Sequence, residues 1–218
     1  MHFIGKTALI QRALASKTEH LASGQSRVTE RRQLFLGPAG VGKSALAASW
    51  AAELTGFTLP ADRELTPAEI ERRTFACVDV RIGCDLSVDL LRDWQRNAPL
   101  RPIGGRCLVR VINEIEGIPT VAMNAIRQYL DDLTPYTIVI GTTNVTTKDL
   151  PAPLQSRFQT WQFKAVPEAE VAAFLLQTYA TLPAEVAHRI AHDTQGCVRA
   201  ALSDAQTELD CQAALQTA

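Results

Sequence analysis

The chain has 218 residues, of which 46% are hydrophobic and 21% charged, with a formal net charge of −1. That apolar fraction builds a sizeable core and excludes a disordered chain, and the length suits one large domain or a domain with a small appendage. A charge near zero gives no global attraction to nucleic acid or anionic membrane, so any such contact has to come from a local patch or from assembly.

The N-terminal "MHFIGKTALIQRALASK" interleaves Lys and Arg with apolar residues. It lacks the continuous apolar segment and small-residue cleavage site of a secretory leader. Its spacing predicts an amphipathic helix with Leu9, Ala13 and Leu14 on one face. "QLFLG" (33–37) reads as a short strand ending in glycine, and the helical "KSALAASWAAEL" follows it directly. In "LTPAEIERR", Thr66 is placed to cap a helix whose first position is Pro67. "TFACVDV" (74–80) is a β-rich run, and "DLSVDLLRDWQRN" has helical spacing with Asp85 or Ser87 as its cap. "RCLVRVI" (106–112), "YTIVIGTTN" (136–144) and "QTWQFK" (159–164) complete a set of five strands, with the amphipathic "TVAMNAIRQYLDDL" between the first two of these. Strands alternating with helices predict an α/β fold with a parallel sheet.

After Pro167 the pattern changes to three helical segments, punctuated by Pro183 and Gly196. The expected organisation is an α/β domain over 1–165 and a small all-α domain over 166–218. No stretch reaches the ~18 apolar residues of a membrane span, so no membrane partner is expected. The five cysteines (Cys77, Cys84, Cys107, Cys197, Cys211) lack the close pairing of a zinc site. They read as free thiols of a reducing cytoplasm.

Chemistry concentrates first in "GPAGVGKS", which fits G-x-x-x-x-G-K-[ST]. Gly37, Gly40 and Gly42 allow the backbone of Gly37, Pro38, Ala39, Gly40, Val41 and Gly42 to curl its N–H groups toward phosphate oxygens. The helix that follows adds its positive end. Lys43 is placed to reach the β- and γ-phosphates, and the Ser44 hydroxyl to ligate Mg²⁺. An apolar strand before the loop and a helix after it give the motif its required context.

The second concentration is "VRVINEIEG" (109–117), an apolar strand that turns acidic. Asn113 and Glu114 are expected at the carboxyl end of a strand, the edge where open parallel sheets bind ligands. A carboxylate at 113 would bind the waters around Mg²⁺; Asn keeps an acceptor oxygen and loses the charge. Glu114 is the group able to orient and polarise an attacking water, and Glu116 lies nearby. Asn144 ends the next buried strand, where its amide is suited to hold the attacking water or the γ-phosphate.

Together these residues resemble the AAA+ ATPases, and among them the clamp-loader and branch-migration-motor group. The resemblance runs from about Phe3 to Leu209. "FIGKTALIQRAL" is similar to the N-terminal box that packs near the adenine, which implicates Ile4. "GPAGVGKS" resembles the Walker A loop, "VRVINEIE" Walker B, and "GTTN" sensor 1 with Asn144 as the sensing residue. "LPAPLQSRFQTWQF" is similar to the segment carrying the arginine finger, here Arg157, and "GCVRAAL" resembles sensor 2, with Arg199 facing the γ-phosphate. "VDLLRDW" echoes the helix after the second strand of clamp loaders. The resemblance implies a P-loop sheet of five parallel strands in order 5-1-4-3-2, helices on both faces, and a helical lid. ATP and Mg²⁺ would bind between core and lid, and a neighbouring subunit would supply Arg157.

Two departures from the family pattern bear on function. Asn113 replaces the family's Asp, which implies weakened turnover. No collar, winged-helix or zinc module fits the remaining residues, so homo- or hetero-oligomerisation and any DNA contact are expected to use the two ATPase domains or another chain. "TTNVTTKD" contains Asn, Lys and Asp at the wrong spacing for guanine recognition, which favours adenine.

The leading expectation is an ATP hydrolase acting in DNA replication or repair as a clamp- or helicase-loader-like protein, with DNA or a replication protein as client. A second reading is an ATP-binding assembly subunit that stimulates a partner ATPase, and a third is a protein-remodelling module. The third is disfavoured because "RIGCDLSVD" has no pore-loop aromatic. Arg31, Arg32, Arg72, Arg73, Arg101 and Arg106 are candidates for a DNA-facing patch.

Overall fold

A computed structural model describes residues 3–60, 65–98, 102 and 104–216. The sheet is made of β1 (Arg32–Leu36), β2 (Val78–Ile82), β3 (Leu108–Asn113), β4 (Thr137–Thr143) and β5 (Gln159–Gln162). All neighbouring strands are parallel, in the order β2-β3-β4-β1-β5, which is the expected 5-1-4-3-2 read from the other edge. β2 begins four residues later than its β-rich run, because Thr74 is spent ending the preceding helix: its hydroxyl donates to the Ile70 carbonyl at 2.8 Å.

Alternation along the strands sorts side chains onto two faces. Phe35, Val109, Val111, Ile138 and Ile140 pack with α1 (Gly5–Ala22) and α2 (Lys43–Thr55). Leu34, Leu36, Ile112 and Val139 pack with α4 (Val88–Asn97) and α5 (Met123–Asp131). Helices on both faces are what a parallel sheet needs to bury two apolar surfaces. Trp50 of α2 illustrates the first layer: its ring stacks on Phe35 at 6.2 Å and its indole N–H donates to the Thr18 hydroxyl at 3.1 Å.

The buried stripe of α1 differs from the expected one. Thr7, Ile10, Leu14, Thr18 and Leu21 face inward, while Leu9 is 62% exposed and Ala13 is also exposed. Two buried threonines carry the stripe, and an apolar count overlooks them. Both are satisfied, Thr7 by the Val41 carbonyl at 2.9 Å and Thr18 by that of Leu14.

α3 (Pro67–Arg73) starts as expected: Thr66 accepts from the Glu69 N–H, and the Glu69 carboxylate accepts in return from the Thr66 N–H, a reciprocal cap. Ser87, not Asp85, caps α4 by accepting from the Leu90 N–H. A short α6 (Ala152–Gln155) precedes β5. α7 (Glu168–Thr178), α8 (Ala184–Asp193) and α9 (Val198–Gln216) then enclose a separate cluster of Val166, Val171, Leu175, Leu182, Ile190 and Ala201, against which Ile4 also packs. All five cysteines are free thiols. Among the described residues no helix is long and apolar enough to cross a membrane.

The arginine patch does not form as expected. Arg31 and Arg32 are buried; Arg31 donates to the Leu133 and Thr134 carbonyls, and Arg32 to the Leu130 carbonyl and the Asp131 carboxylate. Arg106 pairs with Glu19 at 2.6 Å, Arg101 lies outside the described residues, and Arg72 and Arg73 remain exposed at the end of α3.

Candidate functional site

The loop between β1 and α2 is shaped by three glycines at positive φ, of which two are fixed by close approach. At Gly37 a Cβ would come within 2.6 Å of the Phe163 carbonyl oxygen, and at Gly40 (φ +74°) within 2.1 Å of the Cys197 Sγ. The second contact comes from the α8–α9 connection, so the loop and the C-terminal helices touch directly. The Arg199 N–H donates to the Gly40 carbonyl at 3.2 Å and reinforces that contact. Gly42, in the left-handed region, is the N-cap of α2, so Lys43 and Ser44 open the helix and the first-turn N–H groups face the loop.

Lys43 is buried, and its ammonium donates to the Gly37 carbonyl at 2.8 Å, the Pro38 carbonyl at 2.5 Å and the Asn144 side-chain oxygen at 2.8 Å. Burial pushes its pKa down to about 8; the Glu116 carboxylate opposes that shift and the Arg199 guanidinium adds to it. Lys43, Asn144, Glu116 and Arg199 are thereby one electrostatic group, drawn from α2, the end of β4, the turn after β3 and the start of α9.

At the end of β3, Asn113 is half-buried and its side-chain oxygen accepts from the Thr142 hydroxyl at 3.0 Å. The same hydroxyl accepts the Glu114 N–H at 3.4 Å, which ties the β3 turn to β4. Glu114 is exposed and adopts a left-handed backbone (φ 55°, ψ 54°). Its carbonyl lies against Gly83, where a Cβ would meet it at 2.2 Å. A non-glycine residue held in that region costs on the order of 1 kcal/mol or more and persists where surrounding structure enforces it. Ser44, Asn113 and Arg199 share the wall of a cavity of about 200 Å³ that extends past Leu59, Leu65 and Ile70.

Arg157 does not join this group. It sits two residues before β5, and β5 runs parallel to β1 with Gln33 opposite Gln159 and Leu36 opposite Gln162. The loop of Gly37 leaves the other end of β1, so these four paired positions alone separate the two by roughly 10 Å at ~3.3 Å per residue. The Arg157 guanidinium instead makes two bonds to the Asp131 carboxylate, at 3.0 and 2.8 Å, and one to the Pro153 carbonyl. These bonds hold the Asp131 carboxyl below the usual range. Ile4 packs with the C-terminal helices, outside the lining of the cavity. Two participants escaped sequence reasoning. Thr142 stands inside "GTTN", where only Asn144 is singled out, and Glu116 is visible only as a neighbour of Glu114.

No curated protein matches the sequence. Among solved structures, a single-residue variant of Thermotoga maritima RuvB superposes with a TM-score of 0.68 at 19% identity, over 98% of this chain and 65% of that one. A second RuvB variant gives 0.67 at 19% identity, over 98% of this chain and 66% of that one. A DNA polymerase III gamma subunit-related protein from Thermotoga maritima gives 0.53 at 12% identity, over 84% and 57%. The chain thus spans just under two thirds of the length of its RuvB neighbours, and at these identities the likeness is one of fold. The model of the AAA family, "ATPase family associated with various cellular activities", matches residues 33–165, more than half of the sequence. With its phosphate loop, parallel sheet and helical partner in place, the chain belongs to the AAA family of ATPases.

Proposed function

We propose that the chain binds Mg·ATP between an α/β core (1–165) and a helical lid (166–218) and hydrolyses it in a site shared between subunits. Its field of action is DNA replication or repair, as a clamp- or helicase-loader-like protein. The observation that carries this reading is the convergence of Lys43, Asn144 and Arg199 at one end of the sheet with Arg157 at the other. An arginine this far from its own phosphate loop, held on Asp131, supports a role at the loop of a neighbour.

In this reading the Walker A backbone cradles the phosphates, and Lys43 exchanges its loop carbonyls for β- and γ-phosphate oxygens. Ser44 ligates the metal and Asn113 holds its waters. The donor set suits magnesium bound chiefly through phosphate and water: the described residues contain no cluster of three or more His, Cys, Asp or Glu that could cage a metal. Magnesium supplies charge neutralisation across the phosphates. Glu114 polarises the attacking water, Asn144 orients it and Arg199 contacts the γ-phosphate from the lid; Ile4, packed on the lid helices, is assigned to the adenine by the family resemblance alone.

ATP turnover with and without single- and double-stranded DNA, alongside mass by light scattering in ATP, tests the reading. Turnover stimulated by DNA in an oligomer is expected; turnover indifferent to DNA would remove the DNA assignment. Asn113 keeps a second reading open, an ATP-binding assembly subunit that stimulates a partner ATPase while its own site stays slow.

Lys43→Ala is expected to weaken binding of a fluorescent ATP analogue by roughly 10- to 100-fold, since charge-assisted hydrogen bonds contribute about 1.5–3 kcal/mol each. Unchanged affinity would put the nucleotide elsewhere. Asn113→Asp is expected to lower the Mg²⁺ concentration for half-maximal turnover. Asp can still accept from Thr142, as Asn113 does. The gain should be modest, because a second carboxylate beside Glu114 raises the pKa of both. If a Mg²⁺ titration of binding and turnover is unchanged, Asn113 is not a softened metal partner and the assembly-subunit reading moves ahead.

A further inference from the structure

The turn after β3 presents a second acid that the family pattern does not assign. Ile115 and Ile118 are buried and pin the turn to the core, leaving Glu114 exposed and Glu116 half-buried between them. One Glu116 carboxylate oxygen accepts the Asn144 N–H at 3.2 Å. The other is buried and has no hydrogen-bond partner among the described residues. Asn144 in turn accepts from Lys43 at 2.8 Å, so Glu116, Asn144 and Lys43 form a continuous chain from the β3 turn to the phosphate loop. Asn113, by contrast, has its side-chain oxygen engaged by Thr142 and carries no charge. A buried carboxylate oxygen without a donor is costly, and it persists where a cation or its waters can complete it.

Resting on the nucleotide-site reading above, we propose that Glu116 supplies the negative charge that position 113 lacks, acting as a positioning residue that holds the Asn144 loop and makes the site prefer Mg·ATP to metal-free ATP. A fixed carboxylate near the phosphates repels bare polyphosphate. When magnesium offsets the phosphate charge, the same carboxylate becomes favourable to its hydrated cation. The charge that position 113 lacks stands three residues further along the turn, at Glu116.

Affinity for a fluorescent ATP analogue, measured with Mg²⁺ and with EDTA, tests this without relying on turnover. Glu116→Gln keeps an acceptor of the same size for the Asn144 N–H and removes only the charge. It should bind metal-free nucleotide as tightly as the wild type or more tightly, and its preference for the magnesium form should fall by roughly tenfold, the scale of one charge a few Å away in a partly exposed site. Asn113→Asp in the Glu116→Gln background should restore that preference. An unchanged preference in Glu116→Gln, or an equal loss of affinity with and without Mg²⁺, would overturn the inference, the latter marking Glu116 as a brace alone. A wild-type chain that binds nucleotide in neither condition would overturn the nucleotide reading itself, and this inference with it.

Discussion

Arg157→Ala is expected to leave ATP affinity nearly intact and reduce turnover by roughly 10³–10⁵, the range arginine fingers contribute in phosphoryl transfer. The guanidinium is held on its own chain by Asp131, with the Arg157 side chain 22% and the Asp131 side chain 46% exposed. Ion pairs this open to water contribute about 1 kcal/mol or less, so a neighbour's γ-phosphate can draw Arg157 away. Asp131 is not stranded when that happens, since Arg32 also donates to it at 3.1 Å. For the same reason the variant should fold normally. Mixing Arg157→Ala protein with Glu114→Gln protein should recover part of the activity, because a mixed interface can pair an intact Glu114 with an intact Arg157. A mixture as inactive as its components would argue against a shared site.

Glu114→Gln is the second large effect. Loss of a general base costs about 10²–10⁴ in rate, and nucleotide binding should survive, because Lys43 and the loop backbone are untouched. The left-handed backbone of Glu114, packed on Gly83 and tethered through Thr142, fixes the main chain from which its exposed side chain leaves the strand end. That rigidity is what a water-orienting group needs. If the wild-type chain shows steady turnover and Glu114→Gln abolishes it, the assembly-subunit reading is excluded. Equal turnover in both would mean that another group activates the water.

The sheet is legible because its signals are local and redundant: four apolar or β-rich runs and the short, more polar "QTWQFK", with one glycine-rich loop following the first. The strand order came from the family resemblance, and the parallel pairing bears it out. What stayed hidden was whatever depends on contacts between distant segments. Arg110, a charge inside the β3 run, is buried against Asp79 and over the Trp94 ring. Arg31 and Arg32 look like surface charge and are consumed by the carbonyls that end α5 and the turn after it. The buried face of α1 runs through threonines, whose hydroxyls are satisfied by carbonyls rather than water. In the site, the phosphate loop and the Asn113–Glu114 pair could be found by spacing. Glu116 and Thr142 could not, since their roles arise only where β3 and β4 lie side by side.

The most direct test of a shared ATP site is turnover per chain measured across a range of protein concentrations, with mass followed by light scattering in the same samples. The account predicts that specific activity rises with concentration and follows the appearance of an oligomer, because each site lacks an arginine until a neighbour arrives. A monomer that hydrolyses ATP at its full rate at every concentration would contradict it.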